Sequence, residues 1–245
     1  MTVNKALTWI AISFFTFVLM SWSGVTAAET TELKKGPSPE MQAAMQAMAQ
    51  QQADSDGLTS GERIVKYVKS GFVHILPLGL DHILFVLALF FSTTVFSKLF
   101  WQVTAFTLAH SVTLALSSLG FINLSGAIVE PLIALSIVWM AVDNIRFENA
   151  KSHRIWVIVL FGLLHGMGFA SVLSEFGLPQ DAFLTALFSF NIGVELGQLA
   201  VLVMAFLVFF KLSDKPSYRA FVQVPLSAVI GAVGLYWFIE RVFGL

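Results

Sequence analysis

Histidines and carboxylates inside long apolar stretches are the features of this sequence that could do chemistry. Residues 71–92 are long enough to cross a bilayer, yet they carry Asp81 and His82 near their middle and His74 before them. If these residues form one helix, His74 and Asp81 lie about 20° apart on one face. A charge at the centre of a bilayer costs roughly 3 kcal/mol. We therefore expect these side chains to face a protein interior, a water-filled cavity or a bound ion.

Other apolar stretches also carry isolated polar residues, and we expect them to converge on the same centre. Neutral imidazole and carboxylate groups are good ligands for divalent first-row metals. Asp81 has an alternative role, because a carboxylate can also orient a metal-binding imidazole from behind. The candidate metal ligands are His74, Asp81, His82, His110, His165 and Glu195. The candidate pathway or supporting residues are Glu130, Ser111, Asn191 and Gln198.

The composition predicts a membrane protein. Of the 245 residues, 57% are hydrophobic and 12% are charged, with a mean hydropathy of +0.80, whereas soluble domains carry about 25% charged residues. A net charge of −1 gives no reason to expect a nucleic-acid partner. Because the chain has no cysteine, disulfides, thiolate ligands and cysteine nucleophiles are excluded. Its imidazole and carboxylate donors therefore suit nickel, cobalt, zinc or manganese better than copper(I), which prefers thiolates. Copper is not excluded, because the chain has eight methionines.

The N-terminal part of the chain predicts a leader and a tail. Residues 1–28 have the pattern of a secretory signal peptide, with an uncleaved transmembrane helix as the alternative. Residues 29–60 are polar and predict a flexible extracytoplasmic tail, with a methionine-rich metal-capturing arm as the alternative. Residues 61–70 predict a short helix at the membrane surface. The transmembrane domain comprises residues 61–245.

Six apolar stretches, each near the roughly 20 residues that a bilayer requires, predict an all-α polytopic bundle of six transmembrane helices. They cover residues 71–92, 99–119, 126–146, 155–174, 183–211 and 221–243. Lysine and arginine concentrate in alternate connections, which the positive-inside rule places in the cytoplasm. Both termini are then extracytoplasmic, in a bacterial-type inner membrane. Asp143 and Asn144, at a cytoplasmic end, are interpreted as solvated, and His153 as a surface residue of a loop.

Five motifs follow one another in order along the predicted spans. They are G-x-x-H-I-x-x-x-G-x-D-H-I-L-F at 71–85, F-T-x-A-H-S-x-T-L at 106–114, V-E-P at 129–131, F-G-L-x-H-G-x-G-F-A at 161–170 and N-x-G-V-E-x-G-Q at 191–198. In these motifs the chain resembles the HupE/UreJ family, whose members are regarded as nickel or cobalt permeases. The resemblance implies that His74, Asp81 and His82 are the metal motif of the first span. It also implies that the remaining polar positions of the site are His110, Glu130, His165 and Glu195. Six residues separate His74 from Asp81, whereas the nickel and cobalt permeases have four or five.

Three classes of function remain as hypotheses, so whether the protein is an enzyme is open. The favoured one is a permease for a divalent transition metal, nickel or cobalt, in which His74 and Glu130 receive the ion and mid-depth ligands bind it. The alternative is an intramembrane metal-dependent hydrolase of the zinc type, acting on a lipid or a membrane-anchored substrate. A second alternative is an accessory membrane protein whose polar groups only specify helix packing. The expected partners are the lipid bilayer and a metal ion, and homo-oligomerisation is left open.

Overall fold

A computed structural model describes residues 59–122, 124–147, 154–175, 183–213 and 217–244, with side chains omitted for 169–175, 210 and 213. All regular structure in these ranges is helical, which confirms the all-α class. The helices are α1 Ser60–Ile75, α2 Leu80–Ser92, α3 Phe96–Ser118, α4 Gly126–Arg146, α5 Arg154–Glu175, α6 Phe183–Ser213 and α7 Val224–Phe243, the last preceded by a π-helical turn at Arg219–Gln223. The predicted signal peptide, nearly all of the predicted tail and His153 lie outside the described residues.

Helix α1 begins at a capping box, in which the Thr59 hydroxyl accepts from the Glu62 N–H while the Glu62 carboxylate accepts from the Thr59 N–H. It continues without interruption to Ile75. The chain then breaks before α2, and the two helix axes make an angle of 71°. Pro77 lies in this break, after a cis Leu76–Pro77 peptide, and proline has no N–H to continue a helix. The prediction of one helix over 71–92, separate from a helix over 61–70, is therefore wrong.

The described helices support a multi-pass membrane protein. By length and composition, α3, α4, α6 and the segment Arg219–Phe243 could each cross a membrane, and the bent pair α1–α2 would be a fifth span if it is taken as one. Helix α5 is apolar, but its part with described side chains, Arg154–Gly168, is shorter than a span requires. Six crossings and the orientation of the termini remain predictions, as does the surface position of residues 61–70.

Close backbone contacts hold the main helix pairs, which are α3 with α5, α1 with α6, and α4 with α7. A Cβ atom on Gly71 would collide with the Phe190 carbonyl of α6, and one on Gly193 would collide with the Val68 carbonyl of α1. A Cβ atom on Gly166 would likewise meet the His110 carbonyl. Glycine at these positions therefore lets the backbones of two helices approach closely.

Helix α2 lies at the centre of the bundle. Every residue from His82 to Ser92 is buried, as expected for a helix that is apolar on all sides. With 13 residues it is about 20 Å long, which is short of the roughly 30 Å hydrocarbon core of a bilayer. Its first turn therefore starts inside the protein, and it is this turn that carries Asp81 and His82.

The C-terminal end of α4 is more buried than the sequence suggests. Asn144 is only 1% exposed, so its interpretation as a solvated residue is wrong. Its side chain forms hydrogen bonds with three neighbouring helices instead, α2, α5 and α7. The hydropathy pattern could not show this, because an asparagine near the end of an apolar stretch has the same local pattern whether water or protein satisfies its amide.

Candidate metal site

Three histidines from three other helices gather around His82. His74 lies in the last turn of α1, His82 in the first turn of α2, His110 in α3 and His165 in α5. The centroid of the His82 ring lies 5.0 Å from that of His74, 5.8 Å from that of His110 and 5.0 Å from that of His165. The structure thus brings together four of the predicted ligands, although they belong to different helices.

Three of these rings form the histidine triad of His74, His82 and His110. One ligand nitrogen from each lies within 4.8 Å of the other two. Two imidazole nitrogens bound to one tetrahedral ion are about 3.3 Å apart, given metal–nitrogen distances near 2.0 Å. Side-chain adjustments of about 1 Å would therefore bring the triad to bonding distance of one ion. His165 is outside this set but borders it through His82.

The tautomers of His82 and His165 are set by groups that can only accept. The Nδ1 atom of His82 lies 2.9 Å from a carboxylate oxygen of Asp81, and the Nδ1 atom of His165 lies 2.8 Å from the Phe161 carbonyl oxygen. A neutral imidazole has one donor and one acceptor nitrogen. Because Nδ1 must donate in both rings, the Nε2 atom of each carries the lone pair that a metal ion needs.

Asn191 sets the tautomer of His110 in the same way. Its Nδ2 atom donates to the Leu187 carbonyl at 2.8 Å, which turns its Oδ1 atom towards Nδ1 of His110 at a distance of 3.4 Å. An amide oxygen only accepts hydrogen bonds. The Nε2 atom of His110 therefore also carries the lone pair.

These three Nε2 atoms are buried without a protein partner. His82, His110 and His165 are 3%, 0% and 1% exposed, and their Nε2 atoms make no hydrogen bond within the described part of the chain. A buried polar atom left unsatisfied costs about 1–3 kcal/mol. A site with several such lone pairs and no thiolate fits nickel, cobalt or zinc.

Asp81 supports His82 from behind. One of its carboxylate oxygens accepts from the backbone N–H of His82 at 2.8 Å and from the ring at 2.9 Å. The carboxylate also lies in the first turn of α2, where the helix dipole favours negative charge. Its side chain is 25% exposed. This geometry matches the orienting role that the sequence leaves open for Asp81, since metal-binding histidines commonly donate their other N–H to a carboxylate.

The other predicted residues lie beside the histidines or apart from them. Glu195 accepts from the Thr104 hydroxyl at 2.6 Å, and the Gln198 amide oxygen accepts from the Thr107 hydroxyl at 2.9 Å. Both contacts tie α3 to α6. Ser111 donates to the Thr107 carbonyl at 2.7 Å. Glu130 is exposed near the start of α4, where its backbone carbonyl accepts from Arg241 at 2.9 Å.

An aromatic floor, formed by Phe85, Phe106 and Phe161, closes one side of the site. The Phe106 ring lies 5.0 Å from that of His165 and 5.9 Å from that of His82. The Phe85 ring lies 4.9 Å from Phe106 and 6.0 Å from Phe161. Sequence reasoning missed this floor and the Phe161 carbonyl. The carbonyl contact could have been predicted from the sequence, because Phe161 is four residues before His165 and residues four positions apart on a helix are neighbours.

Comparison with known proteins gives one match. A family model described as HupE / UreJ protein matches residues 48–241, which include all seven helices of the described residues apart from the last two residues of α7. Comparisons with curated proteins and with solved structures find no match. The matched region contains the whole histidine cluster and its supporting residues.

Proposed function

The chain belongs to the HupE/UreJ family, and we propose that it is a membrane permease for a divalent transition metal, nickel or cobalt. The observation that carries this proposal is the set of buried Nε2 lone pairs on His82, His110 and His165, each fixed by an acceptor at Nδ1. A packing role would not require three imidazoles to leave their Nε2 atoms without hydrogen bonds. The nickel and cobalt association of the family agrees with these neutral nitrogen donors.

The ion would enter from the side of the site where exposure is greatest. His74 is half-buried and Asp81 is 25% exposed, whereas His82 and His110 are buried. His110 lies eight residues before the end of α3, about 12 Å along the helix, so the site is well inside the bilayer, as is common in transporters. In the proposed topology this end of α3 is extracytoplasmic. His74 then receives the ion, and His82 and His110 bind it more deeply.

His165 and Glu195 are the proposed continuation of the site. His165 borders His82 and offers a fourth nitrogen, and Glu195 lies on the α3–α6 interface that Asn191 joins to His110. We assign Asp81 to orientation of His82, and Glu130 to the extracytoplasmic approach because of its exposure. Ser111 and Gln198 complete the polar contacts beside this route.

Elemental analysis of the purified protein, combined with uptake of radiolabelled nickel and cobalt, tests the proposal. We expect about one ion per chain and uptake above that of empty membranes. His82→Ala should lose both, because it removes the nitrogen that all the other rings border. His153→Ala changes the one histidine of the five that is not a candidate ligand, so it serves as the matched control and should keep both. Normal uptake by inserted His82→Ala protein would refute the permease.

The aromatic floor favours a second candidate function, an intramembrane metal-dependent hydrolase. A site with three histidines and an opening on one side only suits hydrolysis, because zinc held by three histidines activates water. Asp81 or another nearby carboxylate would then act on the proton of that water. Tightly held zinc without any uptake of nickel or cobalt would favour this candidate, and loss of metal during purification together with measurable uptake would exclude it.

A further inference from the structure

Asn144 joins four helices at the end of the bundle opposite to the open side of the metal site. Its Nδ2 atom donates to the Ala88 carbonyl of α2 at 2.7 Å and to the Ser227 hydroxyl of α7 at 3.3 Å. Its Oδ1 atom accepts from Arg154 of α5 at 2.8 Å. With a side chain that is 1% exposed, Asn144 links α4 to α2, α5 and α7 at one point.

Arg154 adds a buried charge to this point. It is 3% exposed and forms an ion pair with Asp143 at 3.0 Å. Taking an ion pair out of water is costly, and well-packed apolar residues often stabilise a protein as much or more. Stabilisation alone is therefore a weak explanation of the Asp143–Arg154 pair. A role in switching the helix bundle between two conformations explains the pair better.

The start of the last helix closes over the same place. Arg219, in the π-helical turn, donates to the carbonyls of Asn144, Ile145 and Phe147 at 3.4, 3.0 and 3.2 Å. Gln223 donates to the Asn144 carbonyl at 3.4 Å. The last carbonyls of a helix have no partner within it, so these side chains complete the end of α4. The Asn144 network is defined as Asp143, Asn144, Arg154, Arg219, Gln223 and Ser227.

The position of the Asn144 network suits a moving part. Helices α4 and α7 form one closely packed pair, and α3 and α5 form another. The Asp143–Arg154 ion pair joins these two pairs, and the bond to Ala88 joins α2, whose first turn carries His82. Between the network and the histidines lies the aromatic floor. If this end of the helix bundle opens, its polar groups can replace their contacts with hydrogen bonds to water at small net cost in free energy. Apolar side chains at the same place would expose apolar surface to water when they separate.

We propose that the Asn144 network is the inner gate of the permease. While its contacts are made, the ends of α2, α4, α5 and α7 stay together and the histidines communicate with the opposite side only. When the Asp143–Arg154 pair and the Asn144 contacts separate, water reaches the inner half of the bundle and the ion can leave. This inference rests on the proposed transport function, but the state of the gate can be measured without any metal.

A single introduced thiol measures the gate, because the chain has no cysteine. Ser136→Cys is a one-atom change at a residue of α4 that is 1% exposed and lies seven residues before Asp143. In inside-out vesicles we measure its labelling by a small, membrane-impermeant methanethiosulfonate. Arg154→Lys and Asp143→Asn, each in this background, should label about tenfold faster or more. Lysine has one nitrogen where Arg154 uses two, for Asp143 and Asn144, and asparagine has no charge to pair with Arg154, so each variant weakens contacts that favour the closed state.

Two further variants keep the test decisive. The exchange Asp143→Arg with Arg154→Asp restores an ion pair of reversed sign but not the hydrogen bond from Arg154 to Asn144. It should therefore label more slowly than either Asp143→Arg or Arg154→Asp alone. Arg146→Ala removes an exposed arginine next to the network and should leave labelling unchanged. Single variants that insert normally and label at the parent rate would overturn the gate and make the network a static brace. Loss of nickel or cobalt uptake in the parent would instead count against the permease, which this labelling does not measure.

Discussion

Replacing Asp81 with asparagine separates two roles that its carboxylate could have in metal binding. The substitution keeps the shape of the side chain and an oxygen that can accept from the His82 ring, which lies 2.9 Å from it. It removes the charge that strengthens this hydrogen bond. If Asp81 orients His82, metal binding should weaken but persist. If Asp81 is itself a ligand, the variant should lose binding as fully as a variant without His82.

The expected size of the effect follows from the orienting role. Loss of a residue that supports a metal-binding histidine lowers affinity by about 10- to 100-fold, which corresponds to about 1.4 to 2.7 kcal/mol. His82→Ala removes one of the three nitrogens that lie within 4.8 Å of one another and should lower affinity much further. Asp81→Asn is therefore expected between the parent and His82→Ala.

Competition titration with a metal chelator measures both affinities in detergent, and the visible spectrum of bound cobalt reports whether the ligand set has changed. Asp81→Asn should shift the affinity but keep the spectrum. Glu62→Gln, which alters an exposed carboxylate of α1, is the matched control and should change neither. Affinity equal to that of the parent, or as low as that of His82→Ala, would show that the assignment of Asp81 is wrong.

Two further substitutions test the packing and the route. Gly166→Ala should lower the stability of the ligand-free protein by about 1–3 kcal/mol, because its Cβ meets the His110 carbonyl. Gly61→Ala is the control: its Cβ has nothing within 4 Å, and alanine is favoured over glycine in a helix, so it should be neutral or slightly stabilising. Equal melting temperatures of Gly166→Ala and the parent would contradict this. Thr104→Val removes the 2.6 Å hydrogen bond to Glu195, so radiolabelled uptake should fall several-fold while metal content stays at the parent value, and a loss of metal content would place Glu195 in the binding site itself.

Much of the helical framework could be predicted from the sequence. The predicted stretch 126–146 coincides with α4, and 183–211 falls within α6, Phe183–Ser213. These boundaries could be predicted because a segment that crosses lipid must form all its backbone hydrogen bonds within a helix, and it must be apolar and about 20 residues long. Glycines that permit close helix contact were also visible as small residues four positions apart.

The break before α2 could not be placed in this way. Hydropathy is nearly uniform across it, and Pro77 permits a bend without fixing its size. His74 and Asp81 do not share one helical face as predicted, because α1 ends at Ile75 and α2 begins at Leu80. The His74 and His82 rings nevertheless come within 5.0 Å, since both residues lie beside the 71° bend between α1 and α2.

The sequence by itself determined that this protein has imidazole and carboxylate groups but no thiol, and that they are carried on apolar helices. The tertiary structure alone decided which nitrogen of His82, His110 and His165 carries the lone pair. That choice depends on acceptors such as the Asn191 amide, which is 81 residues away from His110, and on the packing that buries Asn144. Local sequence specifies helices and donor types, but the partner of a buried polar atom is chosen by the helices that pack around it.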